Sequence, residues 1–233
     1  MDEGDQAVLQ RSRARRPDRV PRRHALPAGP EPPSRQAAVM KRILILQGHP
    51  DPKGGHFGQA LATAYQNGAR NAGHEVVRID VARLEFRLVR SAAEWQFREP
   101  PTAIREVQAQ LAAAHHVVIF FPLWLGDMPA LMKGFFEQLL RPGFAITKTT
   151  ARNPLAAGLL KGRSAHIVVT TGMPAFFYRF FYRAHSVKSL KRNILEFCGL
   201  GPVRSTVIGT VEGKREARER WLSRMFALGR KAA

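Results

Sequence analysis

His115–Ala145 reads HHVVIFFPLWLGDMPALMKGFFEQLLRPGFA, and the fold turns on it. His116–Phe121 is a continuous β-branched, aliphatic and aromatic run, the signature of a strand buried on both faces of a parallel sheet. Pro122 ends it, because proline has no amide proton for the ladder. From Pro129 onward the apolar residues recur at helical spacing as Leu131/Met132, Phe135/Phe136 and Leu139/Leu140. Proline suits the first turn of that helix, and Pro142-Gly143 stops it. The loop between, Leu123-Trp124-Leu125-Gly126-Asp127-Met128, is too apolar for an idle surface turn. Loops at the carboxyl ends of strands are where open α/β sheets bind ligands. Two readings stand side by side: an apolar wall for a flat, partly hydrophobic ligand, or Trp124 and Leu125 covering the sheet edge.

Working outward, four further strands fit the same scheme. They are Arg42–Gln47, His74–Asp80, Ser164–Thr170 and Val203–Ile208. Helical patterns lie between them: Phe57, Leu61, Ala64/Tyr65 and Gly68; Ile104, Val107, Leu111 and Ala114; then an amphipathic Ser186–Phe197 and a last helix with Trp221, Leu222 and Met225. Val81–Pro101 shows no clean period and is expected to be irregular, and Gly143–Gly162 reads as an excursion at the end of the sheet. Alternation of strands and helices, joined by right-handed crossovers, predicts a doubly wound parallel α/β sheet. Rossmann-like and flavodoxin-like strand orders both place a ligand beside the first strand.

Residues 40–233 suffice for one sizeable core. Residues 1–39 are rich in Arg and Pro without apolar periodicity and are expected to be a disordered tail, with Met40 as an alternative start. The chain carries a net charge of +19, and the tail's eight arginines against five acids account for only a surplus of three. The folded body is therefore basic, which favours anionic ligands. A nucleic-acid function would leave the three strand-end loops without a purpose, so none is expected. The single cysteine, Cys198, excludes an internal disulfide and fits a reducing, cytoplasmic compartment. It falls in an apolar stripe with Val187, Leu190, Ile194 and Phe197, the place of a structural thiol. No secretory signal is visible, and the longest apolar run is about half a membrane span.

After the first strand, Gly48-His49-Pro50-Asp51-Pro52-Lys53-Gly54-Gly55-His56 runs into a helix. Free amides and the helix dipole at such a junction hold anions. The loop is neither a Walker A sequence nor GxGxxG. His49 and His56 lack a third ligand at metal spacing, so no metal is expected. After the fourth strand, Thr170-Thr171-Gly172-Met173 offers hydroxyls and amides.

Taken together, Gly48-His49-Pro50, FPLWLGDMPALMKGFFEQLLRPGFA and Thr170-Thr171-Gly172 resemble the flavodoxin-like NAD(P)H:quinone oxidoreductases, over roughly Met40 to Ile208. That resemblance implies a five-stranded sheet of order 2-1-3-4-5, FMN (with FAD as the alternative), and NAD(P)H as co-substrate. It implies ping-pong hydride transfer to a quinone-like or other small aromatic acceptor, in a homodimer with flavins at the subunit interface. By the same likeness His49, His56 and Phe57 wrap the flavin phosphate, and Pro122, Leu123, Trp124 and Leu125 flank the isoalloxazine. Thr170, Thr171, Gly172 and Met173 bond its pyrimidine edge, and Tyr178 with His185 assist the hydride transfer. Two positions depart from the family pattern. His56 stands where a small hydroxyl residue is usual. Ala184 takes the place of the family histidine, with His185 one residue on, and Tyr178 has a second reading as an aromatic of the dimer interface. A regulatory flavoprotein subunit that meets a membrane only through a partner keeps the same fold and cofactor.

Overall fold

The computed structural model describes residues 40–148 and 158–233. The tail and the middle of the expected excursion lie outside them. Five strands form one wholly parallel sheet: β1 (Arg42–Gln47), β2 (Glu75–Asp80), β3 (His116–Pro122), β4 (Ser164–Thr170) and β5 (Val203–Ile208). Their order is β2-β1-β3-β4-β5, the flavodoxin-like arrangement. The chain reverses its winding direction between β1 and β3, which pair from Ile43 opposite His116 to Gln47 opposite Phe120.

Alternate side chains of the central strands feed two cores. Leu44, Leu46, Val117, Ile119 and Phe121 face one side, against α3 (Thr102–Ala113) and α4 (Ala130–Leu139). Ile43, Ile45, Val118 and Phe120 face the other, against α1 (Phe57–Asn71) and the last helix, Arg215–Lys231. Burial on both faces explains why these strands read as unbroken apolar runs rather than as alternation.

Three local expectations change. His74 is not in β2: its amide closes the end of α1 on the Ala69 carbonyl (3.0 Å), and its Nδ1 accepts from the Lys41 amide at 3.2 Å. Val81–Pro101 is partly regular, with a 3₁₀ turn at Val81–Arg83 and a short α2 (Ala92–Phe97). The Ser91 hydroxyl accepts the Glu94 amide (3.0 Å) and the Glu94 carboxylate accepts the Arg90 amide (3.1 Å), so a Ser-x-x-Glu cap starts the helix despite its weak apolar period. Cys198 is buried as expected, and burial pushes its thiol up to about 12. The stripe around it is rearranged, because α6 (His185–Ser189) widens into π-type turns over Leu190–Glu196. The looser winding turns Leu195 inward in place of Ile194 and leaves Phe197 exposed. Among the described residues, no helix is long and apolar enough to cross a membrane.

Candidate functional site

The carboxyl ends of β1, β3 and β4 stand side by side, and their loops enclose a cleft of about 320 Å³. His49, His56, Phe57 and Gly58 close one end, Pro122, Leu123 and Trp124 form the apolar wall, and Thr170, Thr171 and Gly172 form the third side. Its size falls within the usual range of small-molecule pockets, about 300–1,000 Å³. Most of the residues expected at a ligand are thus brought together by the sheet's winding reversal.

At the first loop, the rings of His49 and His56 stack with centroids 3.8 Å apart. His56 Nε2 meets the Asp51 carboxylate at 2.7 Å, and His49 Nδ1 accepts the Asp51 amide at 3.1 Å. Acceptance at Nδ1 makes Nε2 the protonated nitrogen of a neutral His49 ring. Burial and then the neighbouring His56 hold the His49 pKa below its ordinary value, with Asp51 pulling the other way. His56 also opens α1: its amide donates to Gln59 Oε1 at 3.1 Å, while the Gln59 and Ala60 amides turn back on its carbonyl. That leaves Phe57 and Gly58 as the first-turn amides without an intrahelical acceptor. Gln47, at the end of β1, is almost wholly buried; its Oε1 accepts the His49 amide (2.8 Å), but its Nε2 has no partner. A Cβ placed on Gly58 would lie 3.8 Å from that nitrogen. An unpaired buried donor costs stability unless something accepts from it. Orphaned donor, free helix amides and imidazole together fit an anionic group such as a flavin phosphate.

At the second loop, Trp124 and Asp127 exchange backbone hydrogen bonds of 2.8 and 3.0 Å around a tight Leu125-Gly126 turn. Both turn residues have positive φ, 48° at Leu125 and 81° at Gly126. The turn therefore throws the Leu125 side chain into solvent, outside the residues that line the cleft. Trp124 is half exposed and edge-on to His49, with centroids 5.9 Å apart. Its ring thus lines the cleft beside the His49–His56 loop.

At the third loop, Thr170 and Thr171 are buried and Gly172 is open. A Cβ at Gly172 would meet nothing within 4 Å, so the cleft is unobstructed there. Thr171 Oγ1 is occupied by the Met173 amide at 3.3 Å. Met173 itself packs on the α4-side core and is not among the residues that line the cleft. Val211 and Glu212, from the loop after β5, do line it. No motif marks them; Thr171 brings them in, its amide bonded to the Ile208 carbonyl (2.9 Å) and its carbonyl accepting from Val211 (3.3 Å).

Tyr178 and His185, expected to assist hydride transfer, are not among the residues that line the cleft. Tyr178 lies in α5 (Ala175–Phe180), wholly buried. Burial raises its pKa; the nearby Val187 and Ser186 oppose that shift and Asp127 adds to it. Burial also removes Tyr178 from any dimer interface. His185 turns back on its own segment, its ring nitrogen 3.0 Å from the Tyr182 carbonyl.

A sequence model of the family described as "Flavodoxin-like fold" matches residues 41–227. The chain belongs to that family. Over 172 residues it is 26% identical to a Haemophilus influenzae protein named as an uncharacterized NAD(P)H oxidoreductase, covering 72% of this chain and 83% of that one. Among solved structures it superposes on an NAD(P)H:quinone oxidoreductase of Methanothermobacter marburgensis with a TM-score of 0.69, at 24% identity, covering 82% of this chain and 96% of that one. An FMN-dependent NADH-azoreductase of Bacillus anthracis, solved with FMN, superposes with a TM-score of 0.66 at 15% identity, covering 82% and 98%. At these identities the structural likenesses establish the fold.

Proposed function

We propose that this chain is a flavin-dependent NAD(P)H oxidoreductase that passes a hydride to a quinone or similar small aromatic acceptor. The observation that carries the reading is the polarity of the cleft. An imidazole-and-amide cradle lies at one end and the Pro122–Trp124 wall at the other, on the β1/β3 winding reversal. A phosphate ester joined to a flat aromatic ring has the same two-ended chemistry. The flavin supplies the capacity to accept a hydride from the nicotinamide and hand it on. The protein's own residues do the rest. His49, His56 and the Phe57 and Gly58 amides bind the phosphate, and Gln47 Nε2 adds a donor beneath them. Trp124, Leu123 and Pro122 keep the ring face dry. The Gly172 amide, on the open side of the cleft, would stabilise charge on the pyrimidine edge. Nicotinamide and acceptor would enter the same open cleft in turn, a ping-pong order.

FMN is the proposed flavin, with FAD as the alternative; a second groove, of about 540 Å³, shares His56 and Phe57 with the cleft. Arg215 and Arg218 line it together with Glu219, whose carboxylate accepts from Arg215 Nε at 2.8 Å. A second copy of the chain is the proposed cover for the exposed Phe176, Phe180 and Phe181. The buried, unpaired Cys198 thiol fits a cytoplasmic location.

The test is the absorption spectrum of the purified protein, chromatography of the heat-released flavin, and NAD(P)H oxidation with and without a quinone. Bound flavin with quinone-dependent turnover is expected. Flavin without turnover would assign a regulatory flavoprotein instead, and absence of flavin affinity would overturn the reading.

A further inference from the structure

The turn that presents Trp124 is anchored by a residue far away in the chain. Asp127 Oδ1 accepts the Met128 amide at 2.7 Å and also the hydroxyl of Ser186, 59 positions on. Ser186 is 1% exposed, whereas the rest of Asp127 faces solvent. A surface carboxylate is thus drawn inward onto a buried hydroxyl. Through its two backbone bonds to Trp124, Asp127 carries that restraint to the cleft wall. The chain just before Ser186 is unusual as well. Arg183 and Ala184 are consecutive non-glycine residues with φ of 51° and 46°. Side chains disfavour that left-handed region, so surrounding contacts must hold it. The Ala184 amide donates to the Tyr178 carbonyl at 3.1 Å, and the Tyr178 hydroxyl is buried beside Ser186 and Asp127. Turn, strained hinge and buried tyrosine converge on one hydrogen bond.

We infer that Asp127 and Ser186 are positioning residues for the cleft: the bond between them fixes the Trp124 turn against the Tyr178–Val187 segment, and so holds the Trp124 ring edge-on to His49 at the cleft wall. This role rests on the flavin reading of the cleft. Neither residue lines the cleft, and each acts through Trp124. Asn at position 127 keeps an oxygen acceptor for both donors, whereas Ala at either position removes the bond.

Two measurements on the full chain test this. The first is flavin affinity by fluorescence titration. Ser186→Ala and Asp127→Ala are each expected to weaken it about tenfold, Asp127→Asn to leave it near wild type, and the double alanine variant to be no worse than either single, as for two residues acting through one interaction. The second needs no flavin. With Trp95 and Trp221 replaced by Phe, quenching of Trp124 fluorescence by acrylamide is expected to rise in both alanine variants and not in Asp127→Asn. Unchanged quenching and affinity in Asp127→Ala, whose site is exposed enough to spare the fold, would overturn the inference, as would additive losses in the double variant. A wild-type protein that takes up no flavin yet shows the quenching change would instead overturn the cofactor reading.

Discussion

The imidazoles of His49 and His56 lie face to face, 15° from parallel, with Asp51 touching both. Two such rings resist carrying charge together, and His56 is the second cause, after burial, of the lowered His49 pKa. Replacing His56 by Ser is expected to raise the His49 pKa part of the way to its ordinary value, because burial remains. Proton NMR titration of the ring checks this, and an unmoved His49 would show that the rings do not sense each other.

Trp124→Ala tests the cleft wall. An aromatic contact contributes about 0.5–1.5 kcal/mol beyond buried area. Flavin affinity is expected to fall by roughly one to two powers of ten, at about 1.4 kcal/mol each. Trp95→Ala, in α2 and away from the cleft, is the control. Equal losses of melting temperature in apo and flavin-loaded protein, with unchanged affinity, would return Trp124 to the role of an edge cover.

Gly68 and Gly229 let α1 and α7 (Arg215–Lys231) touch backbone to backbone. A Cβ on Gly68 would fall 2.0 Å from the Phe226 carbonyl oxygen, and one on Gly229 would fall 2.0 Å from that of Tyr65. Alanine normally favours a helix over glycine by about 1 kcal/mol. Here the overlap outweighs it, since overpacking costs about 1–3 kcal/mol or more and these neighbours are backbone. Either Gly→Ala change is expected to lower Tm, by roughly 2–4 °C per kcal/mol for a chain this size. A raised Tm would refute the close approach.

Stability should fall in acid through His116. This side chain is 2% exposed at the start of β3; its Nδ1 is 2.7 Å from Ser164 Oγ and its Nε2 is unpartnered. Burial, then His166, Lys41 and Arg204, depress its pKa to about 3. Below the unfolded value of 6.5 the unfolded chain takes the proton and the native one does not. Stability is therefore complete above about pH 6.5 and falls by about 1.4 kcal/mol for each pH unit down towards 3. Denaturant melts from pH 7 to 4 should show this slope, and His116→Gln should flatten it. His166, also lowered by burial, leaves a residual slope of the same sign. Equal slopes in wild type and variant would exclude His116 as the cause.

A chain beginning at Met40 is expected to keep the melting temperature and flavin affinity of the full chain, because Met40 leads almost directly into β1. Loss of either would show that residues 1–39 contribute to the fold or the site.

The sequence by itself determined β1, β4 and β5 to the residue, and the three loops at the carboxyl ends of β1, β3 and β4. Those features are local. A strand buried on both faces must be an unbroken apolar run, and a loop at its end inherits its place from the sheet. The Ser91–Glu94 cap was equally local, though its short helix lacks the apolar period that draws attention to longer ones. Only the tertiary structure decided that Leu125 points to solvent, that Tyr178 is sealed inside, and that Val211 and Glu212 complete the cleft. It alone paired Asp127 with Ser186 and Gly68 with the backbone of α7. Spacing along a chain shows which face a residue occupies, but its partner depends on what packs against that face. That is decided only when helices from distant parts of the chain dock on one sheet and bring groups such as Asp127 and Ser186 within hydrogen-bond reach.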